Sequence, residues 1–100
     1  MLEIRWSVQA ADDVASIAEG MRDAVGLDAA DRLIERIERA AEVLAAFPLM
    51  GRRLDTNERR WPIRRTSYLL LYEPMDGGIY VLRVLDGRRQ WPPRRSVDDE

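Results

Sequence analysis

The chain of 100 residues contains no cysteine, no histidine and no lysine, because all 16 of its basic residues are arginine. Without cysteine there is no disulfide and no thiolate nucleophile, and without histidine there is no imidazole base and no histidine-ligated metal. The six glycines are scattered and form no phosphate-binding loop. No cluster of carboxylates indicates a site for a hard metal ion, so we expect neither a metal nor another cofactor.

Long apolar runs are missing as well. No stretch is long enough to cross a bilayer, and the N-terminus has no signal-peptide pattern. Together with the lack of cysteine, this favours a cytoplasmic protein with no membrane partner. The length corresponds to one domain, which we place at residues 1–91, followed by a polar tail at residues 92–100.

Charge is plentiful but unevenly divided. Residues 1–50 hold 5 arginines and 10 acidic residues, whereas residues 51–97 hold 11 arginines and 5 acidic residues. Three acidic residues at positions 98–100 return the total to −2. Because the local field matters more to a partner than the total charge, the two halves are suited to two different partners.

Hydrophobic periodicity predicts two helices and four strands. Apolar residues recur every three or four positions over residues 10–25 and again from Asp28 to Pro48, with a break at Gly26. Acid–base pairs four residues apart, Asp28–Arg32 and Glu35–Arg39, are expected to add weak support to the second helix. Strands are predicted at residues 2–6, 58–64, 67–73 and 79–85.

These elements predict an α+β fold with the order β-α-α-β-β-β. We expect a small, mostly antiparallel sheet with the helical hairpin packed on one face. The strand at residues 67–73 is apolar on both sides and should be central, whereas Pro62 marks its neighbour as an edge or bulged strand. Residues 49–57 are predicted to be an irregular loop.

The arginines of the second half could form a phosphate-binding surface, with tryptophans as stacking platforms. On one strand, Arg60 and Arg64 should share a face, and Arg59 and Arg65 the other. Solvated arginines at strand ends beside a structural tryptophan are the plainer interpretation. The candidate target-binding residues are Arg59, Arg60, Trp61, Arg64, Arg65, Arg83, Arg88, Arg89 and Trp91.

Several short segments follow one another in a distinctive order along nearly the whole chain. They are Trp6, Ala11-Asp12-Asp13-Val14, Phe47-Pro48-Leu49-Met50-Gly51-Arg52, the strands within residues 63–72 and 79–85, and Gly87-Arg88-Arg89 with Trp91-Pro92. In this order and spacing, residues 2–92 resemble the RelE/ParE family of bacterial type II toxins.

The resemblance implies a toxin that is neutralised by a cognate antitoxin encoded beside it. An antitoxin segment that folds on binding would add an amphipathic helix to the groove of the helical hairpin and a strand to the sheet edge, with its acidic residues meeting the arginines. RelE-like members cut mRNA in the ribosome with basic residues on the sheet and a tyrosine or histidine near the C-terminus. ParE-like members lack that set and poison DNA gyrase.

The chain departs from the RelE-like pattern where proton transfer would be needed. Asp86 stands where many relatives have histidine, and no tyrosine, histidine or lysine follows Trp91. Cleavage of RNA by its 2′-hydroxyl requires a proton acceptor, and arginine is a poor one because of its high pKa. We therefore favour a ParE-like gyrase inhibitor, for which no catalytic residue is assigned.

Two alternatives remain open. The first is a ribosome-dependent mRNA endoribonuclease, for which the catalytic candidates are Arg52, Arg64, Arg83 and Asp86. The second is an inactive family member that acts only in complex formation or regulation. In either active case, charge reversal at Arg83 is expected to weaken binding of the target or the antitoxin with little loss of folding.

Overall fold

The computed structural model describes residues 2–88, and they form two helices and a five-stranded sheet. Arg89 and Trp91 of the candidate surface, and the tail at 92–100, lie outside the described residues. The helices are α1 (Val8–Ala24) and α2 (Leu27–Ala46), followed by a short 3₁₀ helix at Pro48–Met50. The strands are β1 (Glu3–Trp6), β2 (Arg52–Arg53), β3 (Arg59–Pro62), β4 (Tyr68–Met75) and β5 (Gly78–Asp86).

Local capping and backbone signals define the helical hairpin. The Ser7 side chain accepts a hydrogen bond of 2.9 Å from the Ala10 N–H, which caps the start of α1. Gly26 separates the helices with φ of 141°, a conformation that L side chains rarely adopt. The predicted hairpin is therefore confirmed, with α1 beginning two residues earlier than the periodicity indicates.

The sheet has the strand order β1-β5-β4-β3-β2, and β4 is central as predicted. β1 runs parallel to β5, whereas the other neighbouring strands are antiparallel. The prediction of a loop over residues 49–57 was wrong in part, because this region contains the end of the 3₁₀ helix and the edge strand β2. Two residues are too few for a strand to show alternation in the sequence.

Alternation assigns the strand residues to two faces. On the helix-facing side, apolar side chains of β4 and β5 join those of α2 in the main core. The opposite side, called the outer face from here on, carries Arg60, Leu71 and Arg83 in register across three strands. The core on the helix-facing side includes Leu33, Ile37, Leu44, Ile63, Leu70, Tyr72, Ile79, Val81 and Val84.

The N-terminal part of α1 covers the edge of β5 that β1 leaves unpaired. β1 pairs with β5 only as far as Trp6 and Val81. Beyond that point the Ser7 hydroxyl donates to the Leu82 carbonyl at 2.7 Å, and Asp13 Oδ2 accepts from the Val84 N–H at 2.9 Å. The side chains of Ser7, which caps α1, and of Asp13 within α1 thus satisfy backbone groups that a neighbouring strand would otherwise bind.

Candidate functional site

The arginine-rich run at residues 59–65 does not form one surface. Arg59 and Trp61 lie on the helix-facing side of β3, and Arg60 lies between them on the outer face. Arg64 and Arg65 follow the end of the strand. The run therefore supplies three different environments, which we describe in turn.

Arg59 fastens the segment that follows α2. Its Nη1 donates to the Leu49 carbonyl at 3.2 Å and to the Gly51 carbonyl at 2.9 Å. A guanidinium that donates to two carbonyls holds both of them in fixed positions. Arg59 thus has a structural role, and its predicted contact with a target stays a prediction.

The Tyr72 hydroxyl holds the same segment, residues 48–51, through two hydrogen bonds. It donates to the Pro48 carbonyl at 2.7 Å and accepts from the Gly51 N–H at 2.9 Å. Burial raises the pKa of Tyr72 above its ordinary value, although the Gly51 N–H and the charge of Arg59 act in the opposite direction. The hydroxyl therefore has both a donor and an acceptor partner, as a buried tyrosine hydroxyl usually does.

Arg64 and Arg65 sit in the turn between β3 and β4. Alternation places Arg64 with Arg60 on one face, and this prediction was wrong because the strand ends at Pro62. The Thr66 hydroxyl donates to the Ile63 carbonyl at 2.8 Å, and Arg65 has a positive φ of 63°. This tight turn directs both arginines to one groove.

The groove lies between α2 and β3 and has a volume of about 830 Å³. Apolar side chains of α2, the 3₁₀ helix and β3 line it, and five arginines and one glutamate surround them. In the described part of the chain, none of these arginines forms an ion pair. The lining residues are Arg32, Glu35, Arg36, Arg39, Ala40, Val43, Met50, Trp61, Ile63, Arg64 and Arg65.

Three of the groove arginines come from α2 and were missed in the sequence. Arg32, Arg36 and Arg39 are spaced by four and three residues, which is the spacing of one helical face. The weak pairs predicted for this helix, Asp28–Arg32 and Glu35–Arg39, are absent from the ion pairs of the described residues. The spacing of the three arginines was a signal for one basic face of α2. It was overlooked because Arg32 and Arg39 had been assigned to the predicted acid–base pairs.

The outer face carries a second, smaller group of arginines. Arg52 of β2 pairs with Arg60 of β3, and Arg60 pairs in turn with Leu71 of β4. Arg52 is exposed and Arg60 is half-buried. Within the described residues, neither has a hydrogen-bonded or ion-paired partner for its side chain. These two guanidinium groups are therefore available to a ligand.

The half-buried side chain of Arg83 is bound to a carboxylate of α1. Its Nε donates to Asp13 Oδ2 at 2.7 Å, and its Nη2 donates to Asp13 Oδ1 at 3.0 Å. The hydrogen bonds to Asp13 raise the pKa of Arg83, and the same carboxylate accepts from the Val84 N–H. The guanidinium thus joins α1 to β5, an arrangement that a sequence separation of 70 residues concealed.

Asp86 lies on the helix-facing side, because it pairs in register with Tyr68. Its carboxylate accepts from the Arg88 backbone N–H at 3.0 Å and from the Arg88 guanidinium at 2.8 Å. The four candidates for RNA cleavage are therefore not brought together. Arg52 and Arg83 belong to the outer face, Arg64 lines the groove, and Asp86 binds Arg88.

The described residues hold neither a cluster of metal-binding side chains nor a helix that could span a membrane. Among residues 2–88, no group of three or more acidic side chains is arranged to hold a metal ion. Neither described helix is both long enough and apolar enough to cross a membrane. The groove offers guanidinium groups and apolar side chains to a ligand.

Comparison with known proteins gives one family and one fold. A model of the family described as ParE toxin of type II toxin-antitoxin system, parDE, matches residues 4–91. No curated protein sequence matches the chain. A solved chain of the chromosomal ParDE TA system from P. aeruginosa is 21% identical, and the match covers 84% of this chain and 94% of that chain with a TM-score of 0.73.

The structural likeness establishes a shared fold, and the family match extends over most of the chain. The strands and helices that the match includes are those that build the groove and the outer face. The chain therefore belongs to the family of ParE toxins of type II toxin–antitoxin systems.

Proposed function

We propose that this protein arrests growth by binding DNA gyrase and trapping it on cleaved DNA, and that a cognate antitoxin neutralises it. In this proposal the toxin contributes a binding surface, and gyrase carries out the cleavage of DNA. The outer-face arginines Arg52 and Arg60 are the candidate contacts with the gyrase–DNA complex.

The observation that carries this proposal is the position of Asp86. An RNA-cleaving site needs a group that accepts a proton close to the groups that bind the phosphate. Asp86 lies on the opposite side of the sheet from Arg60 and is hydrogen-bonded to Arg88. Such an arrangement favours a toxin that acts by binding over one that cuts RNA itself.

The position of Tyr80 on the outer face also favours a toxin that acts by binding. Tyr80 is partly exposed there, and its neighbours across the strands are Arg5 and Glu73. Arg60 and Arg83 align with Leu71 instead, two positions away along β4 from Glu73. Within the described residues, Arg52 and Arg60 have no partner for their side chains, and neither has a tyrosine as a cross-strand neighbour.

The proposal is tested with purified toxin freed of antitoxin, gyrase and supercoiled plasmid DNA. We expect inhibition of supercoiling and an accumulation of linear DNA that increases with toxin concentration. The double variant Arg52→Glu/Arg60→Glu should lose the effect, because both guanidinium groups then repel phosphate. Val25→Asp, which changes an exposed residue in the turn between the helices, should retain it.

A different outcome would reassign the target. Unaffected gyrase, in a preparation that cleaves mRNA in a reconstituted translation reaction, would replace the proposal with a ribosome-dependent ribonuclease. Unaffected gyrase together with no growth arrest in cells would indicate an inactive family member. Circular dichroism of every variant separates loss of folding from loss of binding.

A further inference from the structure

We propose that the free edge of β1 pairs with β1 of a second copy of this chain, so that two five-stranded sheets join edge to edge. The two strands would run antiparallel, with a two-fold axis at Ile4. The inference depends on neither the target nor the antitoxin, because it rests on the edge strand and on the charges that this strand carries.

One side of β1 is held firmly against β5. The Glu3 N–H donates to the Gly77 carbonyl at 2.8 Å, and the Ser7 N–H donates to the Val81 carbonyl at 2.9 Å. The two strands approach so closely that a Cβ on Gly78 would collide with the Glu3 carbonyl. The position of β1 is therefore fixed before a partner binds, and less conformational freedom is lost on binding.

The other side of β1 is open. The N–H groups of Glu3 and Ser7 point toward β5, so those of Ile4 and Trp6, which alternate with them, point away from it. In the part of the chain that the structure describes, β1 is the last strand on this side of the sheet. Its unpaired N–H and C=O groups form a template to which a further strand can bind.

The charges of β1 are complementary to those of its own copy. Glu3 and Arg5 are exposed on the outer face, and within one chain they form an ion pair of 2.7 Å. When Ile4 lies opposite Ile4 of a second, antiparallel copy, Glu3 of each chain lies opposite Arg5 of the other. Opposite charges directly across from each other stabilise antiparallel strands, and this register provides two such pairs.

The same register covers apolar side chains on the helix-facing side. Leu2 is 56% exposed, and Ile4 and Trp6 pack against the core while remaining only partly buried. In the paired strands Ile4 would lie beside its own copy, and Leu2 would lie opposite Trp6 of the second chain. Pairing would thus bury apolar surface on one face of the sheet and match charges on the other.

The other edges of the sheet are less suited to a second copy. β2, at the opposite edge, consists of Arg52 and Arg53, so two such strands would set arginine against arginine. The part of β5 beyond Trp6 is covered by Ser7 and Asp13. Among the edges formed by residues 2–88, β1 is therefore the one whose charges match its own copy.

A dimer of this kind would leave the target-binding arginines accessible. Side chains at paired positions of two strands point to the same face, so the outer faces of both copies would lie on one side of the joined sheet. Arg60 lies on β3, which is separated from β1 by β5 and β4, and Arg52 lies one strand further away. The dimer would therefore present two sets of these arginines on the same side.

Sedimentation of the full-length toxin, freed of antitoxin, tests the proposal. We expect the wild type to form dimers as its concentration rises. Glu3→Arg and Arg5→Glu should each weaken self-association by about 10-fold or more, because both cross-strand pairs then carry like charges. Val25→Asp, at a residue that is 69% exposed in the turn between the helices, should dimerise like the wild type.

A mixture of the two charge variants distinguishes contacts between chains from contacts within one chain. One variant then carries only arginine at positions 3 and 5, and the other carries only glutamate. Both cross-strand pairs of a mixed dimer are attractive, so the mixture should associate within about threefold of the wild type although each variant alone does not. The ion pair inside a single chain could not produce this recovery.

A cross-link provides a second measurement that does not depend on charge. The chain has no cysteine, so Ile4→Cys introduces a single thiol. Opposed residues of a hydrogen-bonded antiparallel pair have Cα atoms about 5.5 Å apart, which lies within the range of a disulfide. Air oxidation should convert this variant largely to a covalent dimer, whereas Val25→Cys should stay mostly monomeric.

Three outcomes would overturn the inference. The first is a wild-type toxin that stays monomeric at every concentration, and the second is a dimer that neither charge reversal weakens. The third is a charge reversal that weakens binding of the antitoxin but not self-association, which would assign the edge to an antitoxin strand. Circular dichroism of each variant separates unfolding from loss of contact, and the gyrase assay tests the proposed function independently.

Discussion

The two sides of β3 present the same basic residue in contrasting surroundings. In the groove, arginines from α2 and from the β3–β4 turn surround an apolar floor that includes Trp61 and Met50. On the outer face, Arg52 and Arg60 adjoin each other across paired strands, and Arg60 lies next to Leu71. The first arrangement suits a folded protein segment, whereas the second suits an extended or charged surface.

This difference shows that the number of arginines does not by itself define a binding surface. Within seven residues of sequence, Arg59 fixes the backbone, Arg60 reaches the outer face, and Arg64 and Arg65 line the groove. Arg83, which is also on the outer face, forms an ion pair with Asp13. These residues differ in the partner that each one contacts in the fold. Five substitutions test the contacts of this region and of the residues around it.

The largest effect is expected from Gly51→Ala, which disturbs the packing of Tyr72 against the segment that follows α2. A Cβ at this position would collide with the Tyr72 side chain, which is fully buried and cannot move aside easily. We expect the free energy of unfolding to fall by about 3 kcal/mol through overpacking and the loss of hydrogen bonds. Urea denaturation followed by circular dichroism measures the change.

The matched control for this substitution is Gly20→Ala in α1. Nothing lies within 4 Å of a Cβ at that position, so the helix should gain about 0.5–1 kcal/mol from the better helix former. Equal effects of the two substitutions on stability would contradict the claim that Tyr72 requires a glycine at position 51.

A smaller effect is expected from Asp13→Ala, which releases Arg83. The carboxylate binds the Arg83 guanidinium twice and also the Val84 N–H, so its removal should lower the free energy of unfolding by about 2 kcal/mol. Asp12→Ala, at an exposed position one residue earlier, should change stability by less than about 0.5 kcal/mol.

The same ion pair revises the expectation for Arg83 itself. Charge reversal at this position was expected from the sequence to leave folding intact. Arg83→Glu would instead set two carboxylates against each other, so we now expect a loss of stability similar to that of Asp13→Ala. If Arg83→Glu proves as stable as the wild type, the ion pair has no structural importance.

Tyr72→Phe is a milder change that tests the hydrogen bonds between the Tyr72 hydroxyl and the backbone of residues 48–51. Loss of the hydroxyl leaves the Pro48 carbonyl and the Gly51 N–H without that partner, at a cost of about 1–2 kcal/mol. Because the folded-state pKa of Tyr72 is raised above 10.0, its contribution is complete below pH 10 and decreases as the pH rises further.

The pH dependence provides a direct readout of this assignment. Denaturation curves at increasing pH should show the wild type losing more stability above pH 10 than Tyr72→Phe does. A pH dependence that is identical in the two proteins would argue against a raised pKa at Tyr72.

The smallest effect is expected from Asp86→Asn. Because the carboxylate lies on the helix-facing side and binds Arg88, we expect growth arrest in cells to stay within about threefold of the wild type. Removal of a general base would reduce catalysis by about 100-fold or more. A loss of that size in a folded variant would support RNA cleavage in place of gyrase inhibition.

The order of the main elements could be predicted from the sequence because local patterns determine them. The 3.6-residue periodicity of α2 and the apolar run of β4 suffice for the helical hairpin and the central strand. The prediction from Pro62 of an edge or bulged strand was wrong, because β3 lies between β4 and β2 and pairs regularly with β4. Pro62 is tolerated there because β2 pairs only with Arg59 and Arg60. The short strand β2 could not be recognised, because it has two residues and no pattern of its own.

The distribution of the arginines between the groove and the outer face was harder to predict from the sequence. Alternation correctly separates Arg59 from Arg60, but it fails at Arg64 because the chain has already left the strand. The pairing of Asp13 with Arg83 depends on how α1 covers the edge of β5, which no local signal encodes. A groove formed by α2 and β3 is likewise a product of tertiary packing, so only its helical stripe of arginines was present in the sequence.

The most direct test of the account measures the linear DNA that gyrase forms as purified toxin is added. We predict that linear DNA increases with the wild-type toxin and stays at background with Arg52→Glu/Arg60→Glu. Equal amounts of linear DNA from the two toxins would contradict the outer face as the surface that acts on the target. Absence of linear DNA with the wild-type toxin would contradict gyrase as the target.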